Sequence, residues 1–432
     1  MNRPRILILT FGCRANQYES AAMVRALRRD YVLVEDGPAD VCLLNACTVT
    51  RLADRKARQA ARRVRRTSPV ARVVLIGCLA DAVRQGLARF DAADLAAGNA
   101  WKGRIATVVE AALAGVRGHL PLTDPTPLDE EQSDGQRGRV RALLRVQDGC
   151  SLACTYCRPT MVRGPSRSKS IDAAAAEARR LVELGFPEIA LTGINLAEYA
   201  PPDGRLPDLV RAILEIPSLR RLRIASINVS GLTDELLDAF SADRRVCRHI
   251  HVPLQSGDDR ILAAMRRGYA AAGYEERIAR TRERLPDATF GADAMVGFPG
   301  EDEAAFRRTC ELVERVGFAN LHVFRYSPRT GTEAVRLPGV VPERAKRARA
   351  ERLDASWRRA LRRLLDNRIG STQDVLVEEC RNGQWLGYTR DYIHASFESA
   401  TPISLGVERP VRITGAGEGR LEGVSDDRDD SG

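Results

Sequence analysis

At 432 residues, 44% of them hydrophobic, the chain is too long for one hydrophobic core, and two or three domains are expected. No apolar run approaches the roughly 18 residues of a membrane-spanning helix, and the N-terminus MNRPRILILTFGC lacks the h-region and cleavage site of a signal peptide, so no membrane is expected and the location is cytoplasmic. The formal charge of +10 favours an acidic partner, nucleic acid first, although Lys56, Lys102, Lys169 and Lys346 are the only lysines among 67 basic residues, so part of that balance is arginine usage.

In chain order, residues 1–117 alternate strand and helix. RILILTFG (5–12), VCLLNA (41–46) and RVVLIG (72–77) are short apolar runs, and helical stretches such as 16–30 and 54–66 separate them. That alternation predicts an α/β, doubly wound parallel sheet. Residues 118–139 are polar, rich in Pro, Gly and Asp, and read as a linker. Over 140–368 the strand-then-helix unit recurs, with strands expected at 141–147, 188–193, 221–228, 249–256, 289–298 and 320–327, before an arginine-rich exit helix at 342–368. Six units predict a partial (β/α)6 barrel with its chemistry at the C-terminal mouth. Short strands broken by turn residues over 369–425 predict a small all-β barrel, and 426–432 an acidic, disordered tail.

Ten cysteines in a cytosolic chain favour metal or redox chemistry over disulfides. Cys150, Cys154 and Cys157 are spaced C-x3-C-x2-C just after the first barrel strand, and none of the five histidines lies beside them. A closed zinc site needs a fourth ligand. A [4Fe–4S] cluster on three thiolates instead keeps one iron open to an outside ligand, and this spacing with Tyr156 before the last cysteine is the signature of radical S-adenosylmethionine (SAM) enzymes. Cys13, Cys47 and Cys78 each end one of the three N-terminal strand runs. The C-terminal edges of parallel strands line one crevice, so these three converge on a second three-thiolate site. Cys42, Cys247, Cys310 and Cys380 are read as packing residues.

Nearly the whole chain resembles the radical-SAM methylthiotransferases. TFGCRANQYES, LNACTVT and IGCLAD are similar to the family's N-terminal motifs; VQDGCSLACTYC, RGPSRS, HVPLQSGDDRILAAMRRGY and MVGFPGE are similar to its radical domain; residues 371–420 resemble its RNA-binding TRAM barrel, which is OB-like. CTVT, LTGINL, MRRGY and HVFRYSPRTGT are most similar to the branch acting on N6-threonylcarbamoyladenosine, just 3′ of the tRNA anticodon. The resemblance implies two [4Fe–4S] clusters and SAM as cofactors. Cys150, Cys154 and Cys157 would hold the cluster that cleaves SAM to a 5′-deoxyadenosyl radical, and Cys13, Cys47 and Cys78 the cluster that carries the sulfur. It also implies a tRNA anticodon stem-loop as partner, a flavodoxin- or ferredoxin-type electron donor, a sulfur donor, and a 2-methylthio adenosine as product. The chain departs from the family pattern at Pro159, one place ahead of the usual proline, at Ala46, where threonine is usual, and at Asn228, where an acidic residue is common.

SAM also needs polar partners around the barrel mouth. Thr192, Gly193 and Asn195 follow the second strand, Gln255 and Ser256 the fourth, and Gly297, Pro299, Gly300 and Glu301 the fifth, with turn chemistry as the alternative explanation of the glycines. The helix bearing Arg55, Lys56, Arg58, Arg62, Arg63, Arg65 and Arg66 is a candidate phosphate-binding face, and Tyr388, Arg390, Tyr392 and Phe397 are candidate base-stacking groups, each with surface or packing roles as alternatives. The competing functions are methylthiolation of isopentenyladenosine in tRNA or of a ribosomal-protein aspartate by the same chemistry, and a non-enzymatic iron–sulfur RNA sensor. Ser256 in PLQSG, where the ribosomal-protein enzymes usually carry histidine, argues for tRNA.

Overall fold

A computed structural model describes residues 3–426; apart from Asp426, the acidic tail expected at 426–432 lies outside the described residues. The first sheet comprises β1 (Arg5–Phe11), β2 (Val32–Val34), β3 (Val41–Ala46), β4 (Arg72–Ile76), β5 (Leu95–Ala97) and β6 (Gly118–His119), ordered β2-β1-β3-β4-β5-β6 and parallel throughout. Every residue of β3 is buried, which is why VCLLNA reads as an unbroken apolar run. Ala57, Ala61 and Val64 of helix Arg51–Thr67 cover one face, and Ile105, Val108, Val109 and Ala112 of helix Ile105–Leu113 cover the other. This helical spacing places each set on one stripe.

Next come β7 (Arg141–Arg145), a small antiparallel ribbon of β8 (Gln147–Asp148) and β9 (Arg167–Ser168), then β10 (Glu188–Thr192), β11 (Arg221–Ile224), β12 (Val246–His251), β13 (Thr289–Val296) and β14 (Asn320–Arg325). The six parallel strands run β14-β13-β12-β11-β10-β7, a partial barrel with no pairing between β14 and β7. Ile189, Leu191, Leu222 and Ile224 join the core beneath the outer helices. Alternate residues face inward, and on β12, β13 and β14 these include His249, His251, Asp293 and His322.

Residues 118–139 do more than link. Gly118–His119 completes the first sheet, and Glu131 and Ser133 are buried. The Tyr18 hydroxyl donates to the Glu131 carbonyl at 2.8 Å, and Ser133 N–H donates to Glu177 Oε1 at 2.8 Å. Polar partners, rather than apolar ones, fix this segment, so hydropathy does not reveal it. Nearby, Glu19 of helix Arg14–Leu27 is buried and accepts from Arg145 at 2.6 Å, Arg163 at 2.8 Å and from Lys102, joining the first sheet to the barrel.

Helix Glu343–Asp366 leads to a closed barrel of β15 (Thr372–Arg381), β16 (Gln384–Thr389), β17 (His394–Glu398), β18 (Glu408–Gly417) and β19 (Arg420–Ser425), ordered β15-β16-β17-β19-β18. It packs on the N-terminal ends of the parallel strands: Arg221 pairs with Glu408 at 2.6 Å, and Arg141 with Glu378 at 2.8 Å. The expectation that Tyr388, Tyr392 and Phe397 present rings to RNA is not met. Phe397 is core, and Tyr392 stacks on Tyr388 at 4.7 Å beneath Arg223 at 4.6 Å and Arg141 at 5.1 Å. Barrel arginines occupy the faces that bases would need.

Candidate active site

The sheet order sets β1, β3 and β4 side by side, and Cys13, Cys47 and Cys78 follow within two residues of their C-terminal ends. Cys47 N–H donates to the Phe11 carbonyl at 3.0 Å, which draws the β3 end against the β1 end. Gly12, at φ 125°, is required there: a Cβ would lie 2.3 Å from Cys47 Cβ and 3.2 Å from its Sγ. The thiols are close enough to act on one another. Burial, then Cys78 and Cys13, push the Cys47 thiol up to about 12. Burial also raises Cys78, against the pull of Arg163 and Lys102. Asn99 contacts Cys78 Sγ at 3.7 Å, and Asn16 contacts Cys13 Sγ at 3.5 Å.

The barrel site is built within one loop. Gly149, at φ 73°, lets the chain pass the Pro165 carbonyl, which a Cβ would approach to 1.9 Å. Cys150 N–H then bonds to Gly164 O at 3.1 Å, Cys157 N–H to Cys154 O at 3.0 Å and Thr155 N–H to Met265 O at 3.2 Å. Arg267 Nη1 donates to Cys154 Sγ at 3.3 Å. Glu198 Oε2 accepts from Ser151 N–H at 2.9 Å while its Oε1 lies 3.6 Å from Cys150 Sγ. Burial, followed by Glu198 and Cys157 among the raising influences, pushes Cys150 up to about 12. At both sites loading by a metal centre therefore releases protons.

The residues expected to hold SAM divide. Thr192 and Asn195 stand at the C-terminal end of β10, with Asn195 Nδ2 3.0 Å from Glu198 Oε1; Gly193 gives room to Gln147, whose Oε1 would lie 2.7 Å from a Cβ. Gln255, at φ 66°, pairs with β13 through Met295 N–H and is half-buried at the mouth. Others turn away. Ser256 is wholly buried, its hydroxyl accepting from Asp258 N–H at 3.2 Å and meeting Thr309 Oγ1 at 3.4 Å. Glu301 is buried, accepting from Gly297 N–H at 2.6 Å and Arg349 at 2.8 Å, and Pro299 is buried beside it. A Cβ on Gly297 would meet Lys346 Cγ at 2.3 Å, and Gly300 N–H bonds to Gly339 O at 2.8 Å, so the exit helix and the segment before it account for these glycines.

Sequence reasoning missed Arg158, Arg163, Glu198, Arg267 and an inward-facing trio. His251 Nε2 and His322 Nδ1 lie 3.3 and 3.1 Å from Asp293 Oδ1. Burial would raise the Asp293 carboxyl, but the hydrogen bonds from the two histidines outweigh it and hold it well below the usual range. Their period-two placement on adjacent strands was the available signal. Cys380 is exposed rather than packed. Beside β1 an open groove of about 1190 Å³ runs between Leu7, Leu9, Phe11 and the basic helix residues Lys56, Arg62, Arg63 and Arg66. Glu35 and Asp36 also line it.

Residues 144–313 match the family model of the Radical SAM superfamily, and residues 5–98 that of Uncharacterized protein family UPF0004. The chain is 35% identical over 396 residues to threonylcarbamoyladenosine tRNA methylthiotransferase MtaB of Thermotoga maritima, covering 91% of each chain. It is 35% identical over 437 residues to tRNA-2-methylthio-N(6)-dimethylallyladenosine synthase of Syntrophobacter fumaroxidans, covering 97% of this chain and 95% of the other. Among solved structures, the radical S-adenosylmethionine methyltransferase TsrM from Kitasatospora setae has a TM-score of 0.55 over 77% of both chains at 14% identity, a likeness of fold.

Proposed function

The chain belongs to the radical-SAM methylthiotransferase family, and we propose that it places a methylthio group on C2 of N6-threonylcarbamoyladenosine next to the anticodon of tRNA. Family membership brings SAM and [4Fe–4S] clusters with it. The donor sets suit such clusters: three soft thiols at each site, with glycines clearing space at Gly12 and Gly149. The observation that carries the reading is this pairing of two three-cysteine sites in one chain. Cys150, Cys154 and Cys157 would hold the radical cluster, and Cys13, Cys47 and Cys78 the auxiliary one. Bound there, the clusters and SAM supply the radical chemistry that an unactivated aromatic C–H demands.

The protein's own part is to hold and orient. Arg267 donates to the Cys154 sulfur, while Glu198 fixes the Ser151 backbone beside Cys150. Asn195 stands beside Cys150 and Glu198, and the His251–Asp293–His322 trio faces inward from β12, β13 and β14. Such acceptors and donors suit a threonylcarbamoyl side chain, whose hydroxyl and N–H groups can hydrogen-bond, over an apolar dimethylallyl one. The groove beside helix Arg51–Thr67 offers the cations Lys56, Arg62, Arg63 and Arg66 for phosphates. A flavodoxin- or ferredoxin-type protein as reductant, a separate sulfur donor and a cytoplasmic site of action complete the proposal. Nucleoside mass spectrometry of tRNA from cells with and without this protein tests it. Loss of the 2-methylthio form of threonylcarbamoyladenosine is expected, and loss confined to the dimethylallyl nucleoside would overturn the substrate assignment.

A further inference from the structure

Arg158 directly follows Cys157, yet its side chain leaves the barrel. Nη1 donates to Thr48 Oγ1 at 3.3 Å, and Nη2 to the carbonyls of Leu87 and Thr330 at 2.8 and 2.6 Å. Thr48 directly follows Cys47. Its hydroxyl also accepts from Arg329 Nη2 at 2.8 Å, and that nitrogen reaches Asp54 Oδ2 at 2.6 Å. One hydroxyl therefore ties a loop of the barrel site to a loop of the sheet site. The junction is dry: Thr48, Arg158, Arg329 and Asp54 are 1%, 2%, 6% and 6% exposed.

The charges at this junction do not balance. The one carboxylate, Asp54, pairs with Arg329, and none of the three acceptors of Arg158 is ionised. The Nε–H groups of both arginines and Oδ1 of Asp54 lack hydrogen-bond partners among the described residues. A buried cation without a counter-charge is unfavourable unless an anion lies within reach. A [4Fe–4S] core on three thiolates is a net anion, more so once reduced, and its potential responds to nearby charge. In the sequence, Pro159 opens helix Pro159–Arg163 immediately after Arg158.

We propose that Arg158 is a positioning residue for methylthio transfer, holding the radical-cluster loop against the auxiliary-cluster loop through Thr48 and lending its charge to the reduced barrel cluster. This rests on the cluster assignment proposed above. The test uses full-length holoenzyme, titrated with dithionite and followed by electron paramagnetic resonance, with 5′-deoxyadenosine and methylthio nucleoside counted in parallel reactions. Arg158→Met should make the midpoint potential of the barrel cluster more negative and give roughly ten- to a hundredfold less methylthio product per 5′-deoxyadenosine. Arg158→Lys keeps the charge without the fork; it should restore the potential but not the product ratio. Thr48→Val, which keeps both arginines and removes their shared acceptor, should lower the ratio at wild-type potential. Wild-type potential and ratio in an iron-loaded Arg158→Met protein overturn the proposal. If that variant takes up no iron, Thr48→Val decides, and an unchanged ratio there overturns it equally. Absence of methylthio product from the unmodified enzyme would count against the function proposed above, while the potentials would still read the role of Arg158.

Discussion

In the barrel, Cys150, Cys154 and Cys157 share one loop whose backbone bonds to Gly164 and Met265, whereas Cys13, Cys47 and Cys78 come from three strands that only the sheet order brings together. The first site is a property of a short segment, the second of a fold. Their charges differ too: Arg267 sits on Cys154, while Arg163 and Lys102, both engaged with Glu19, act on Cys78. A local site can be damaged one residue at a time. A distributed one fails when its sheet or its ion network fails.

Removing thiolates should separate the two most sharply. Replacing Cys150, Cys154 and Cys157 by alanine is expected to abolish SAM cleavage and to halve the iron content from about eight per chain; persistent 5′-deoxyadenosine formation would break the assignment. Replacing Cys13, Cys47 and Cys78 should cost the same iron and yet leave SAM cleavage, with no methylthio product. The comparison would collapse if both triple variants behaved alike.

Glycine variants sharpen it within each site. Gly149→Ala puts a Cβ 1.9 Å from Pro165 O at a left-handed φ, and Gly12→Ala puts one 2.3 Å from Cys47 Cβ. Each should cost about 1–3 kcal/mol locally, so Gly149→Ala is expected to reduce barrel-cluster iron and SAM cleavage, and Gly12→Ala to reduce auxiliary iron alone. Iron analysis with SAM-cleavage assays reads both.

The ion network should bind the distributed site to global stability. Burial opposes ionisation of Glu19, but Arg163, Lys102 and Arg145 win and hold it at about 2; Arg223, Arg141 and Arg221 do the same for Glu188. A carboxyl lower in the folded than in the unfolded chain stabilises fully above its ordinary 4.5, and that contribution fades as pH falls toward 2. Glu19→Gln leaves three buried cations short of charge and should cost about 3–5 kcal/mol at neutral pH. Urea unfolding between pH 7 and 3 should show a shallower acid dependence for this variant than for the wild type.

Legibility followed the same divide. The C-x3-C-x2-C loop is a local pattern, and the strand-end cysteines are readable because parallel strands share an edge. Short β2, β5 and β6 escaped, since two or three residues carry no period. The mouth glycines stayed ambiguous because turn chemistry and ligand approach demand the same residue, and at Gly297 the close approach of Lys346 supplies a packing reason. Ser256 fell in the right segment but faces Thr309. The His251–Asp293–His322 trio left only its period-two placement on neighbouring strands as a signal, and Arg158 left none, because its partners Thr48, Leu87 and Thr330 lie far away in the chain.

The smallest effect concerns the C-terminal barrel, which meets the sheet domain where Arg14, the neighbour of Cys13, donates to the Tyr392 hydroxyl at 3.3 Å. Tyr392 is held at φ 63° between Tyr388 and His249, with centroids 4.7 and 5.0 Å away, and Arg223 and Arg141 lie over its ring. Were it a base-stacking platform, Tyr392→Ala would weaken tRNA binding by about 1–3 kcal/mol and leave the melting temperature alone. Its packing predicts the reverse: a loss of about 1–2 kcal/mol in stability from the stacked ring and its cations, with tRNA affinity and its salt slope unchanged. By contrast, substituting Arg62, Arg63 and Arg66 in the groove should flatten the salt slope, by roughly 0.7 for each lost single-strand phosphate contact. Affinity at several salt concentrations and thermal melting of the same two variants decide the matter, because a ring locked under arginines and a cation open to phosphate cannot give the same pair of answers.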